Sequence, residues 1–170
     1  MGGDCLNTGC VPSKALIKTA KVLSQIKKAK DFGIRHATAE FDFAEVMERV
    51  QRVIRTIEPH DSVERYGALG VECIQGEARI TTPWTVEVDS RPLTTRSIVI
   101  AAGAEPFIPP IPGIEAVECL TSDTVWGLRK LPRRLLVLGG GPIGSELAQA
   151  FARLGSSVTQ VEMLARILPR

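Results

Sequence analysis

The stretch "RRLLVLGGGPIGSELAQAFARLGSSVTQVE", Arg133 to Glu162, decides the fold. Leu135–Leu138 is a short apolar run ended by glycines, which suits a strand. From about Ile143 to Leu154 the apolar residues recur at helical spacing, and Gly155 supplies the stop. Val158–Val161 reads as a second strand. Strand, glycine-rich turn, helix and strand make a βαβ unit, whose crossover in a single sheet should be right-handed. Gly139, Gly141 and Gly144 spell G-x-G-x-x-G. That pattern alone is weak. Set between a strand and a helix, with Glu162 at the end of the next strand, it is a specific signal for a dinucleotide. Gly139 permits the tight turn. Gly141 lets a pyrophosphate approach the backbone. Gly144 lets helix and strand pack closely. The helix N-terminus offers free N–H groups and partial positive charge to the phosphates. Glu162 can accept hydrogen bonds from a ribose 2′-hydroxyl and would repel a 2′-phosphate, which favours NADH over NADPH. Arg166 lies close behind and could soften the preference. The alternative is a glycine-rich turn without a ligand.

At the other end stands "GGDCLNTGCVPSK", Gly2 to Lys14, with Cys5 and Cys10 in one polar, glycine-rich segment. From Ser13 to about Lys30 the residues Lys14, Lys18, Lys21, Gln25 and Lys28 alternate at helical spacing with an apolar side. Pro12 is tolerated in a first turn, so the helix should begin near it. A thiolate at Cys10 would then feel the helix dipole, with Lys14 adding positive charge, and both lower a thiol pKa. Three readings of the pair are open. As a redox couple it would cycle between disulfide and dithiol. A zinc site would need two further ligands, and Cys73, Cys119, His36 and His60 show no second close pair with ligand spacing. Inert buried cysteines would suit a core, whereas Gly, Asn, Thr and Pro surround these. Cys73 and Cys119 read as packing residues.

Between the two ends, Phe43–Ile57 should be a second amphipathic helix, started by Asp42 with Glu45 in a capping-box arrangement. "VECI" (71–74), "ARI" (78–80) and "WTVEV" (84–88) read as short strands. "SIVIAAG" (97–103) is a continuous apolar run that suits a strand buried on both faces. The proline-rich "AEPFIPPIPGI" after it should be an extended connector.

The composition excludes several classes. With 44% hydrophobic and 24% charged residues, the 170-residue chain has an ordinary globular balance. A net charge of +2 is too small to imply nucleic acid or an anionic membrane. No apolar run approaches the roughly 18 residues that span a bilayer, and no signal peptide is visible. A soluble, cytoplasmic protein is expected.

"GGDCLNTGCVPSKAL", "SIVIAAGAEPFIPPIPGI" and "LLVLGGGPIGSELAQAFARLGSSVTQVE", in that order, resemble the redox motif, second flavin segment and NAD(P) fold of the flavin-dependent pyridine nucleotide–disulfide oxidoreductases, such as mercuric reductase and dihydrolipoamide dehydrogenase. The resemblance covers essentially the whole chain. It implies an α/β fold: a partial FAD-binding domain with redox helix and β-meander (1–115), a connector (116–132), and the first βαβ of a Rossmann-type NAD(P)-binding domain (133–170). It implies Cys5 as the interchange thiol and Cys10 as the charge-transfer thiol. Lys14 would reach the flavin and pair with Glu146. Gly3 and Asp4 would contact the flavin diphosphate region, although many members carry threonine in place of Asp4. Ala102 and Gly103 would pass close to the flavin, Glu77 and Ala78 would offer backbone groups to its adenine, and Ile143 would lie near the nicotinamide. Electrons would run from NAD(P)H, NADH favoured, through FAD to the Cys5–Cys10 disulfide and on to mercuric ion or a disulfide such as lipoamide.

The family also carries an earlier G-x-G-x-x-G unit and a C-terminal dimerisation domain with a His–Glu pair. Neither has a counterpart here; His36 and His60 match no such motif. The chain is therefore expected to be an internal fragment, inactive alone, of a parent that forms a homodimer. A flavin-free dinucleotide-binding or thiol redox-sensing module is the competing expectation.

Overall fold

The computed structural model describes residues 2–168. It contains five α-helices and two small sheets among those residues. Helix α1 (Gly3–Asn7) is a single turn, and α2 (Cys10–Lys27) follows after Thr8 and Gly9. The start of α2 lies ahead of Pro12, so Cys10 sits inside the first turn and not before it. Orphan N–H groups explain this, because a missing N–H anywhere in a first turn breaks no intrahelical bond. Ser13 locks the start, donating its N–H and hydroxyl to the Gly9 carbonyl at 3.1 and 2.6 Å.

Helix α3 (Phe43–Ile57) has the expected bounds, and the Asp42 side chain caps it by accepting from the Ala44 N–H at 2.7 Å. A shorter helix, α4 (Val63–Ala68), is capped in the same way by Ser62. An antiparallel meander follows: β1 (Ala78–Thr82), β2 (Thr85–Val88) and β3 (Arg91–Thr94), in the order β1-β2-β3. Pro92 is tolerated because β3 is an edge strand. The final unit is β4 (Arg134–Leu138), α5 (Pro142–Leu154) and β5 (Ser157–Val161), with β4 and β5 parallel.

The core joins both ends of the chain. Leu16, Ala20 and Leu23 of α2 meet Val46, Met47 and Val50 of α3 and Ala150, Phe151 and Leu154 of α5. Lys27 adds a bond from its ammonium to the Arg153 carbonyl at 3.1 Å. Val125 and Trp126, in a 3₁₀ turn of the connector, are buried in this same core.

Two expected strands are absent. Residues 71–74 and 97–103 are irregular, and Val99 and Ile100 are 88% and 76% exposed. Apolar composition signals a wish for burial but supplies no ladder partner, and no described strand pairs with residues 97–103.

Candidate functional site: a thiol pair beside a dinucleotide turn

Four residues separate Cys5 from Cys10, and each has its own restraint. Leu6 is buried. The Asn7 amide donates to the Gly3 carbonyl at 2.9 Å, and the Thr8 N–H donates to Asp4 O at 2.9 Å. Gly9 is required by crowding: a Cβ there would lie 2.8 Å from Asp4 O. Both cysteines are exposed free thiols. The Cys5 thiol is held above its ordinary pKa, chiefly by its side-chain hydrogen bond with Cys10. Desolvation and charge repulsion from Cys10 act in the same direction, while the Cys10 N–H and Lys14 pull the other way.

Asp4 ties this loop to the 102–104 turn. Its carboxylate accepts the Ala104 N–H at 3.1 Å, and a Cβ on Gly103 would lie 2.8 Å from the same carboxylate. Gly3, Asp4, Ala102 and Gly103 thus gather at one place. Asp4 acts here as a bracket between the two segments. Glu77 and Ala78 lie elsewhere in the meander. The Glu77 N–H donates to the Asp89 carboxylate at 3.0 Å and its C=O accepts from the Asp89 N–H at 3.3 Å, so the Glu77 backbone groups are already engaged.

Lys14 follows Cys10 by one turn on α2, and Glu146 stands on α5, but no ion pair joins them; the described ion pairs are Arg55–Glu48 and Arg91–Glu72. Both side chains are exposed, where an ion pair gains little against the cost of ordering two long side chains.

The glycine-rich turn is built as its spacing implies. Gly139 has φ 112°, a conformation that L side chains rarely adopt. A Cβ on Gly144 would lie 2.5 Å from the Gly139 carbonyl oxygen, so this glycine is needed for helix α5 to sit on β4. A Cβ on Gly141 would meet nothing within 4 Å. The space in front of Gly141, at an α5 N-terminus with no side-chain cap, suits a pyrophosphate. Ile143 is exposed beside it. Glu162 is already oriented: its carboxylate accepts the Gly140 N–H at 2.5 Å and the Leu164 N–H at 2.8 Å. These bonds, Leu164 first, hold its pKa below the usual glutamate value.

A match to a family model described as pyridine nucleotide-disulphide oxidoreductase runs over residues 1–170. The chain belongs to this family. Among its pyridine nucleotide–disulphide oxidoreductase relatives, the mercuric reductase of Lysinibacillus sphaericus is 34% identical over 168 residues, which cover 99% of this chain and 31% of that protein. The dihydrolipoyl dehydrogenase of Acholeplasma laidlawii is 35% identical over 174 residues, 99% of this chain and 52% of the relative. The chain also superimposes on the Cu(II) complex of the HOCl-induced flavoprotein disulfide reductase RclA from Escherichia coli, with a TM-score of 0.75 and 30% identity, covering 99% of this chain and 35% of that one. It thus spans about a third to a half of the length of these relatives.

Sequence reading missed three supporting residues. The Gln160 amide donates to the Gly139 carbonyl at 3.0 Å and to the Ser145 hydroxyl at 3.1 Å, and Ser145 donates to the Gly140 carbonyl at 3.3 Å, which braces the turn. Trp126 donates its indole N–H to the Thr8 carbonyl at 3.0 Å. A buried tryptophan needs a partner for its N–H, and that was the available signal, although it names no partner.

Proposed function

We propose that this chain carries the dithiol centre and the dinucleotide turn of a FAD-dependent NAD(P)H:disulfide oxidoreductase. Residues 1–115 then belong to the flavin-binding part, 116–132 to the connector and 133–170 to the NAD(P)-binding part. The observation that carries the reading is that two exposed free thiols, Cys5 on α1 and Cys10 in the first turn of α2, stand at the head of a helix that packs directly on the dinucleotide helix α5. Cys5, on the short α1, attacks the acceptor; Cys10, in the first turn of α2, closes the disulfide. Glu162 holds the adenosine ribose and favours NADH, Gly141 admits the pyrophosphate, and Ile143 flanks the nicotinamide. Lys14 on α2 adds positive charge one turn after Cys10, and Glu146 stands on α5, which packs against α2. Bound FAD would supply the two-electron relay between the nicotinamide and the disulfide. The overall exchange is NADH, a proton and the disulfide giving NAD⁺ and two thiols. The acceptor is mercuric ion or a small disulfide such as lipoamide, and the whole protein is a cytoplasmic homodimer. No described helix is long and apolar enough to cross a membrane.

Glu77, engaged by Asp89, and the unpaired run 97–103 favour a second reading, in which this chain alone is a flavin-free dinucleotide and thiol module. Absorption spectroscopy separates the two. FAD retained through gel filtration, with a long-wavelength band on dithiol formation that Cys10→Ser abolishes, supports the flavin reading. A colourless chain that binds NADH supports the second. A chain that binds neither refutes both.

A further inference from the structure

The Cys5–Cys10 segment is held mostly by itself. Its Thr8, Asn7 and Gly9 bonds run to residues four positions away. Among the described residues, one hydrogen bond reaches residues 5–10 themselves from a distant part of the chain, and it comes from Trp126, 118 residues along; the Ala104 N–H anchors the neighbouring Asp4. That indole is only 4% exposed, with Leu16, Phe43 and Phe151 in the same core cluster. Its backbone is fixed as well: the Val125 N–H donates to the Thr121 carbonyl at 3.0 Å, and the Gly127 N–H to the Thr124 carbonyl at 3.0 Å. The donor is therefore rigid, and its acceptor is the last carbonyl but one before Cys10.

We infer that Trp126 is a positioning residue for the thiol pair, setting through the Thr8 carbonyl how readily Cys5 and Cys10 close into a disulfide. The inference rests on the redox reading of that pair. Closing the disulfide forms the S–S bond and releases two electrons and two protons; oxidised dithiothreitol takes both and becomes the dithiol. A loop tied at its centre to an immovable donor has fewer conformations in which the sulfurs lie apart. Their effective concentration is correspondingly high, as for any intramolecular closure. Releasing the tie widens the loop ensemble and lowers the equilibrium constant for closure.

The test equilibrates the 170-residue chain with dithiothreitol redox buffers, followed by alkylation and mass spectrometry of the peptide that holds both cysteines. Two variants are compared with the unaltered chain. Trp126→Phe removes the donor. Site-specific replacement of Trp126 by benzothienylalanine removes only the N–H and keeps the ring shape, so it decides the question if the phenylalanine variant does not fold. A tie that favours the closed form over the open ensemble by the worth of one net hydrogen bond predicts a closure constant lower by about fivefold in both variants. For a two-electron couple that fold-change is a rise of about 20 mV in potential. An altered fold elsewhere would change melting but gives no reason for the potential to move in the benzothienyl variant. A potential unchanged or lowered in that variant overturns the inference. If the unaltered chain forms no Cys5–Cys10 disulfide in any buffer, the redox reading itself fails and takes this inference with it.

Discussion

Replacing Gly141 and Gly144 separately by alanine distinguishes a glycine kept for a ligand from one kept for the fold. At Gly144 the new Cβ would stand 2.5 Å from the Gly139 carbonyl oxygen, against backbone that cannot rotate away. Against rigid backbone this overpacking falls in the upper part of the usual range, about 2–3 kcal/mol. Alanine recovers about 1 kcal/mol of helix propensity, which leaves a net loss of roughly 1–2 kcal/mol. For a chain of this size that corresponds to a melting temperature lower by roughly 2–8 °C. At Gly141 the Cβ meets nothing within 4 Å, and the backbone, at φ −71° and ψ 177°, is open to any residue. Gly141→Ala should melt with the unaltered protein. It should nevertheless bind NADH at least about tenfold more weakly, about 1.4 kcal/mol, because the methyl occupies the place of the pyrophosphate. Circular dichroism melts and NADH fluorescence titrations measure the two effects. Undiminished stability in Gly144→Ala, or undiminished NADH affinity in Gly141→Ala, would refute the reasoning.

Three further outcomes follow from the site. Cys10→Ala removes the largest cause that raises the Cys5 pKa, so Cys5 alkylation should reach half its maximal rate at lower pH than in the unaltered chain; a midpoint that stays or climbs contradicts that cause. Glu162 has a depressed pKa, so its bonds to Gly140 and Leu164 should persist above the ordinary glutamate pKa of about 4.3 and be lost as pH falls through the lower folded value. Protection of those two amides from hydrogen exchange should fall in that window, and Glu162→Gln should flatten the dependence. The isolated chain should reduce neither dyes nor disulfides with NADH above background, because residues 97–103 lie unpaired; measurable turnover would count against this.

The parts of the fold that could be read in the sequence are those set by local rules. Asp42 and the periodic valines gave α3 its bounds, and Gly139, Gly144 and Gly155 punctuated the βαβ unit to within a residue at either strand. Helix α1 was hidden because Gly3, Asp4, Cys5 and Asn7 are poor helix formers; Leu6 burial and the Asn7 side-chain bond hold it instead. Residues 97–103 misled because their composition says nothing of a partner strand. In the site, the residue types at Cys5, Cys10, Gly141 and Glu162 were visible. What holds them was not: Asp4 to Ala104 and Trp126 to Thr8 span 100 and 118 residues, and no periodicity reports contacts of that range.

The central claim is that Cys5 and Cys10 form a reversible two-electron couple. Tryptic cleavage after Lys14 releases both in one peptide, apart from Cys73 and Cys119. After mild oxidation by oxidised dithiothreitol and blocking with iodoacetamide, that peptide should be two hydrogens lighter than its dithiol form and unalkylated, and reduced dithiothreitol should restore two alkylatable thiols. A peptide that stays fully alkylated after oxidation, or that pairs only with Cys73 or Cys119, would contradict the account.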